Sequence, residues 1–148
     1  MISNVEVWER FREVVAVRFV SKSHTGIGWS GSGSGVVKVS EPAPDVLTFE
    51  ESGLWQQEGG KEMRFTNVFR WSLVEDRLRL DHLRFGADNP VFLFEMAAGA
   101  DGVWREINPH PCRDDCYRAS LRLENEQIFV NWLVRGPKRN EVIDYIYI

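Results

Sequence analysis

EMRFTNVFRWSLV, residues 62–74, alternates between apolar and polar side chains along most of its length. One face of an extended chain would carry Met63, Phe65, Asn67, Phe69, Trp71 and Leu73. The other face would carry Arg64, Thr66, Arg70 and Ser72. Because successive side chains of a β-strand point to opposite sides, this period of two predicts a strand that packs one face on a hydrophobic core.

Segments of similar texture precede and follow this one as far as the last residue. They are VVAVRFV (14–20), VVKV (36–39), VLTFEE (46–51), RLRLDHLRF (77–85), PVFLFEM (90–96), GVWREI (102–107), YRASLRL (117–123), QIFVNWLV (127–134) and VIDYIYI (142–148). The connectors are short and turn-like, among them ESGLWQQEGGK, VEDR and ENEQ, which favours hairpins. A long open meander would leave two unpaired edges. We therefore expect an all-β, antiparallel up-and-down barrel of eight to ten strands, forming a single domain over residues 1–148.

A short helix is predicted before the first strand. Ser3 and Glu6 have the spacing of a capping box, and Val5, Trp8 and Phe11 recur at roughly helical intervals. From Val14 onward β-branched residues dominate, and these pack better on a pleated sheet than in a helix.

The composition of the chain limits which partners and which cellular location we expect. The net charge is −4, and the 18 basic residues form no stripe that would neutralise phosphates, so nucleic acid is not expected. The first residues, MISNVEVWERF, have neither secretory nor transit character, and no apolar run is long enough to span a membrane. The two cysteines fit a reducing compartment, so we expect a cytoplasmic protein. The sequence does not indicate an oligomeric state.

The glycine-rich stretch GIGWSGSGSG, residues 26–35, contains a GxGxxG spacing. A dinucleotide site needs those glycines to open a helix, whereas VVKV, the segment that follows here, reads as a strand. We therefore expect no cofactor, and we assign the glycines to a tight turn, a bulge or a sharp strand bend.

The stretch NPHPCRDDCYRA, residues 108–119, concentrates side chains capable of chemistry. His110, Cys112 and Cys116, with His82 as a fourth ligand, offer zinc-type donors, but H-x-C-x3-C is not zinc spacing and no metal is expected. A Cys112 nucleophile with a histidine base is chemically possible. A braced corner, with prolines enforcing extended or turn geometry, is the favoured interpretation.

A second polar cluster, DHLRFG, occupies residues 81–86. As part of a strand, His82 and Arg84 would share a face with Leu80 and its neighbours, marking a rim or a pocket. A guanidinium inside a barrel would need a carboxylate, from a ligand or from the protein itself. The six tryptophans supply flat apolar walls for a core or a cavity.

Three stretches together resemble a bacterial and plant family of lipocalin-like domains of unknown function. They are HLRFGADNPVFLFEM (82–96), PHPCRDDCY (109–117) and WLVRGPKRN (132–140). The resemblance implies a calycin-type barrel with a small-molecule pocket, and it implies no particular activity. It also implies that a polar network forms from His82, Arg84, His110, Asp115 and Tyr117.

We therefore predict a barrel that binds a small hydrophobic molecule, which an arginine would hold if it is anionic. The predicted ligand-binding residues are Arg70, Trp71, His82, Arg84, His110, Asp115, Tyr117 and Trp132. The alternative is a small enzyme with His82 or His110 as acid or base and Asp115 orienting the ring. A structural or protein-interaction module is a third possibility.

Overall fold

The computed structural model describes residues 4–24, 30–107, 116–137 and 139–148, and the side chains of residues 4, 116, 117 and 139 lie outside this description. One helix, α1 (Asn4–Arg12), precedes ten strands. The strands are β1 (Ala16–Ser23), β2 (Gly31–Ala43), β3 (Val46–Gln57), β4 (Glu62–Val74), β5 (Arg77–His82), β6 (Val91–Ala98), β7 (Trp104–Glu106), β8 (Cys116–Glu124), β9 (Gln127–Gly136) and β10 (Arg139–Tyr147). The predicted opening helix is confirmed, whereas its expected cap Ser3 lies outside the described residues.

Every strand pairs antiparallel with the next one along the chain, and β1 pairs with β10 to close the sheet. Val17 lies opposite Tyr147 in this closing ladder, and Ser23 lies opposite Glu141. Such closure leaves no free sheet edge. The predicted antiparallel up-and-down barrel is confirmed, with ten strands.

The two ends of the barrel differ. At the end that we call the α1 end, α1 lies across the barrel, and the side chains of Val7, Trp8 and Phe11 are buried. Two-residue turns join β4 to β5 and β8 to β9 here, and Arg10 Nε donates to the Glu126 carbonyl in the second turn. We call the opposite end, where the β3–β4 and β5–β6 connections lie, the distal end. In the described part of the chain, no helix has both the length and the apolar character needed to cross a membrane.

Aromatic packing fills the interior beneath α1. The Phe11 ring lies 4.7 Å from Trp71 and 5.7 Å from Phe49, measured between ring centroids. These three side chains are at most 1% exposed. The helix therefore acts as a hydrophobic plug for this end.

Several segment boundaries differ from the sequence prediction. The strand predicted over residues 36–39 is β2, which begins at Gly31 inside the glycine-rich stretch and continues to Ala43. ESGLWQQ was expected to be a connector, but β3 continues through it to Gln57, because Gly53 faces Gly35 on β2 at very close range. A Cβ on either glycine would collide with the facing backbone, so only glycine permits this close approach. The predicted strand RLRLDHLRF ends early, at His82, because the chain turns at Leu83 and Gly86 adopts a φ of +91°.

The α1 plug generates a stability prediction. We expect Phe11→Ala to lower the free energy of unfolding by about 3–5 kcal/mol, since it removes a fully buried ring and leaves a cavity. Val5→Ala is the control, because Val5 is 67% exposed on the same helix, and it should change stability by less than about 0.5 kcal/mol. Urea unfolding measures both, and equal effects would show that α1 does not plug the barrel.

Candidate functional site

The described interior near the distal end has an aromatic wall whose side chains keep partial exposure. Phe19, Phe65 and Tyr145 point inward from β1, β4 and β10, yet each keeps partial exposure. The Phe19 ring lies 5.2 Å from Phe65 and 5.5 Å from Tyr145. Beneath α1, in contrast, the inward aromatic side chains are almost wholly buried. We call the half-exposed region the distal interior.

A buried carboxyl group, that of Glu51, lies between the plug and the distal interior. Its position follows from the alternation of β3, in which Leu47, Phe49 and Glu51 are all buried on the inner face. In the barrel ladders its cross-strand neighbours are Val37 on β2 and Asn67 on β4. The side chain is 2% exposed, so the carboxyl group is almost fully removed from solvent at the barrel surface.

Glu51 has an incomplete set of hydrogen bonds. The Tyr147 hydroxyl donates to Oε2 over 2.6 Å. The Asn67 amide is near enough to favour the charged carboxylate, but no described residue makes a hydrogen bond to Oε1. Buried polar atoms normally have partners, so Oε1 is an exception that calls for an explanation.

Burial controls the ionisation of this group. Desolvation raises the pKa of Glu51 to about 7, although the hydrogen bond from Tyr147 and the nearby Asn67 amide act in the opposite direction. Burial also raises the pKa of Tyr147, helped by the charge of Glu51. The phenol therefore keeps its proton and remains the donor in this pair.

The charges that face the interior are acidic. Glu141 on β10 is 4% exposed, and its register places it on the same inward face as Tyr145 and Tyr147. His82 stacks on Phe69 at 4.8 Å, and burial, followed by the charge of Arg84, lowers its pKa, so the imidazole is neutral at pH 7. Among the side chains that the structure describes, no lysine or arginine faces the interior.

Three of the predicted site residues face the interior, but they lie at different positions along the barrel axis. Trp71 packs under α1 against Phe11, and Trp132 lies 5.1 Å from Phe94 and 6.3 Å from Tyr145. His82 lies at the distal end of β5. The structure thus places Trp132 beside the distal interior, but it places Trp71 in the plug.

Neither predicted arginine faces the interior. Arg84 was expected on the inner face with Leu80, but the strand ends at His82, and the exposed Arg84 guanidinium lies 4.9 Å from the Phe85 ring. Arg70 lies on the outer face, as its alternation with Trp71 predicted. Its carboxylate partner comes from the protein itself: Asp81, 1% exposed, accepts from Arg70 at 3.4 Å and also binds Arg79. This ion cluster borders an outer groove of about 790 Å³.

The remaining predicted residues are not placed. His110, Cys112 and Asp115 lie outside the described residues, as do Gly26 and Gly28 of the GxGxxG segment, and only the backbone of Tyr117 is described, opposite Val134 on β9. The proposed network with His82 therefore stays a prediction. Within the described ranges, no group of three metal-binding side chains occurs.

Sequence reasoning missed Glu51. The signal was present in VLTFEE, because an acidic residue at position 51 continues the apolar face of Leu47 and Phe49. An acidic side chain on the inward face of a predicted barrel strand is unusual enough to single out.

Comparisons with known proteins give a family match and two remote structural similarities. A family model described as "Family of unknown function (DUF6314)" matches residues 7–148. A search of curated proteins gave no match. A redesigned β-barrel, mFAP1, bound to DFHBI, has 8% identity and a TM-score of 0.46, covering 94% of this chain and 97% of that one. A de novo designed fluorescence-activating β-barrel has 10% identity and a TM-score of 0.46, covering 99% and 98% respectively. The lipocalin-like resemblance stays a prediction, since none of these descriptions mentions lipocalins.

The raised pKa of Glu51 makes stability depend on pH in a defined direction. The folded state holds its proton up to about pH 7, whereas the unfolded chain releases it near the ordinary value of 4.5. The contribution of Glu51 to stability therefore falls as pH rises through this window and is constant above it. Relative to Glu51→Gln, the wild type should lose about 3 kcal/mol between roughly pH 4 and pH 8.

Urea unfolding of both proteins across that pH range measures the difference. Glu50→Gln is the matched control, because Glu50 is the exposed neighbour on the outer face of β3. Its difference from the wild type should vary by less than about 0.5 kcal/mol. A pH-independent difference for Glu51→Gln would contradict the burial of an incompletely paired carboxyl group.

Proposed function

We infer the function from the geometry alone, because this chain belongs to a family of unknown function, DUF6314. We propose that the protein binds a small, mostly apolar molecule inside its barrel. The site extends from the layer of Glu51 to the distal end. Phe19, Phe65, Tyr145 and Trp132 supply its walls.

The single observation that carries this proposal is the unequal burial of inward side chains. A densely packed interior buries its inward side chains away from the barrel ends, since protein interiors are as dense as organic crystals. Here the aromatic side chains under α1 are buried, while those of Phe19, Phe65 and Tyr145 keep partial exposure. In the same region the inward side chains of Trp55 and Trp132 are each 9% exposed. A mostly apolar concave surface with a few polar groups is the usual composition of a ligand pocket.

The geometry does not support the anionic ligand group that the sequence suggested. That suggestion relied on Arg70 or Arg84, but Arg70 is paired with Asp81 outside the barrel and Arg84 is exposed in a turn. The interior instead contains the buried carboxyl group of Glu51. A carboxylate ligand would meet like charge in a region of low dielectric constant.

The alternative of a small enzyme has less support. It needs a carboxylate to orient a histidine, and no described carboxylate makes a hydrogen bond to His82, whose ring stacks on Phe69. Its other residues, His110 and Asp115, lie outside the described residues. We therefore keep the binding barrel as the proposed function.

A fluorescent probe and one pair of variants test this proposal. N-phenyl-1-naphthylamine is neutral and apolar, and its emission should rise on titration into the wild-type protein. Ser21→Trp should weaken this binding at least about tenfold, since Ser21 points into the distal interior from β1 and an indole would occupy the space.

Lys22→Trp adds the same side chain on the outer face, where Lys22 is exposed, and should leave the affinity unchanged. Circular dichroism checks that both variants fold. If the wild type does not bind the probe, or if Ser21→Trp binds it as well as Lys22→Trp does, the interior is not the binding site.

A further inference from the structure

We propose that Glu51 is the polar anchor of the interior site and that the bound molecule presents a protonated nitrogen to it. The ligand class is therefore an apolar organic cation, such as an arylmethyl- or alkylammonium ion. This inference rests on the proposed function, because it requires a molecule inside the barrel.

The Glu51 carboxyl group has unused bonding capacity. Oε2 accepts one hydrogen bond, from Tyr147, and Oε1 has no partner among the described residues although the side chain is 2% exposed. An ionised carboxyl group with an unsatisfied oxygen is costly to bury. A ligand N–H group would satisfy Oε1, and a positive charge would offset the buried negative charge.

The surroundings of this oxygen on its distal side are formed by β3 and β4. The next inward position of β3 toward the distal end is Gly53, which carries no side chain and lies directly against the β2 backbone at Ser34 and Gly35. Asn67, directly across from Glu51 on β4, is itself only half-buried. Partial exposure therefore reaches Asn67, the cross-strand neighbour of Glu51 on β4.

The sign of the surrounding charge favours a cation. Burial, followed by the charge of Arg84, lowers the pKa of His82 and so disfavours its charged form. No described lysine or arginine side chain points into the barrel. Among the described side chains, the Glu51 carboxyl group therefore has no inward cation beside it, which favours a positively charged ligand over an anion.

Aromatic rings next to the Glu51 carboxyl group also favour a cationic ligand. Tyr147 stacks on Tyr145 at 6.0 Å with an interplanar angle of 12°, and the Phe49 ring lies 5.4 Å from Tyr147. The faces of such rings carry partial negative charge, so they stabilise a nearby organic cation. An ammonium group attached to an apolar body would use both the carboxyl group and the rings.

Three probes that share a naphthalene ring and differ in the charge of their polar group measure the charge preference of the interior site. They are 1-naphthylmethylamine as the ammonium ion, 1-naphthylmethanol and 1-naphthaleneacetate, each competing with N-phenyl-1-naphthylamine near pH 8. In the wild type, the ammonium ion should bind at least about tenfold more tightly than the alcohol, and the carboxylate should bind most weakly.

Glu51→Gln should abolish the preference for the ammonium ion while changing the affinity for the alcohol by less than about threefold. Glu50→Gln removes the same charge on the outer face and should leave the preference intact. Equal binding of ammonium and alcohol by the wild type, or a preference that survives in Glu51→Gln, would overturn the assignment of Glu51. The wild-type comparison needs no variant, so it tests the role of Glu51 even if a substitution impairs folding.

The two proposals fail in different ways. If the neutral fluorescent probe and the alcohol both fail to bind, the interior site itself is wrong. If they bind and respond to Ser21→Trp but the ammonium ion has no advantage, only the role of Glu51 is wrong.

Discussion

The ladder between β1 and β10 is the constraint on which the rest of the structure depends. It closes a ten-strand meander into a tube, so that every strand has a hydrogen-bonded neighbour on both sides. Closure also fixes which residues point inward, because a slip of one residue would move a whole strand's apolar set to the outside. The same ladder places Tyr147 within hydrogen-bonding distance of Glu51, 96 positions away in the chain.

Helix α1 makes the tube asymmetric. Phe11 completes an aromatic cluster with Phe49 and Trp71, which consumes the interior volume at one end. Toward the other end, the described side chains of Phe19 and Phe65 keep partial exposure. Glu51 lies at the boundary between these regions, where a half-satisfied carboxyl group costs stability. A ligand that donates a hydrogen bond to Oε1 would offset that cost.

The periodicity of the sequence was enough to predict the strands. Features that depend on single residues and their distant contacts could not be predicted in the same way. The alternation of residues 62–74 was enough to predict a core-facing strand, and the count of such segments was enough to predict a closed barrel. The continuation of β3 through Gly53 was missed, because its cause is the close approach of Gly35 on another strand. Arg84 was misplaced, because the turn at Leu83 was hidden in an apparently continuous pattern. The pairing of Glu51 with Tyr147 depends on barrel closure, which no local pattern reveals.

The most direct test of the account is the titration of the Glu51 side-chain carboxyl carbon by ¹³C NMR, with Glu51→Gln used to assign the signal. In the free protein the midpoint should lie near pH 7, as burial of an incompletely paired carboxyl group requires. Saturation with 1-naphthylmethylamine should move the midpoint down, because a bound cation favours the charged form. A midpoint near the ordinary glutamate value in the free protein, or one that the amine does not change, would contradict the account.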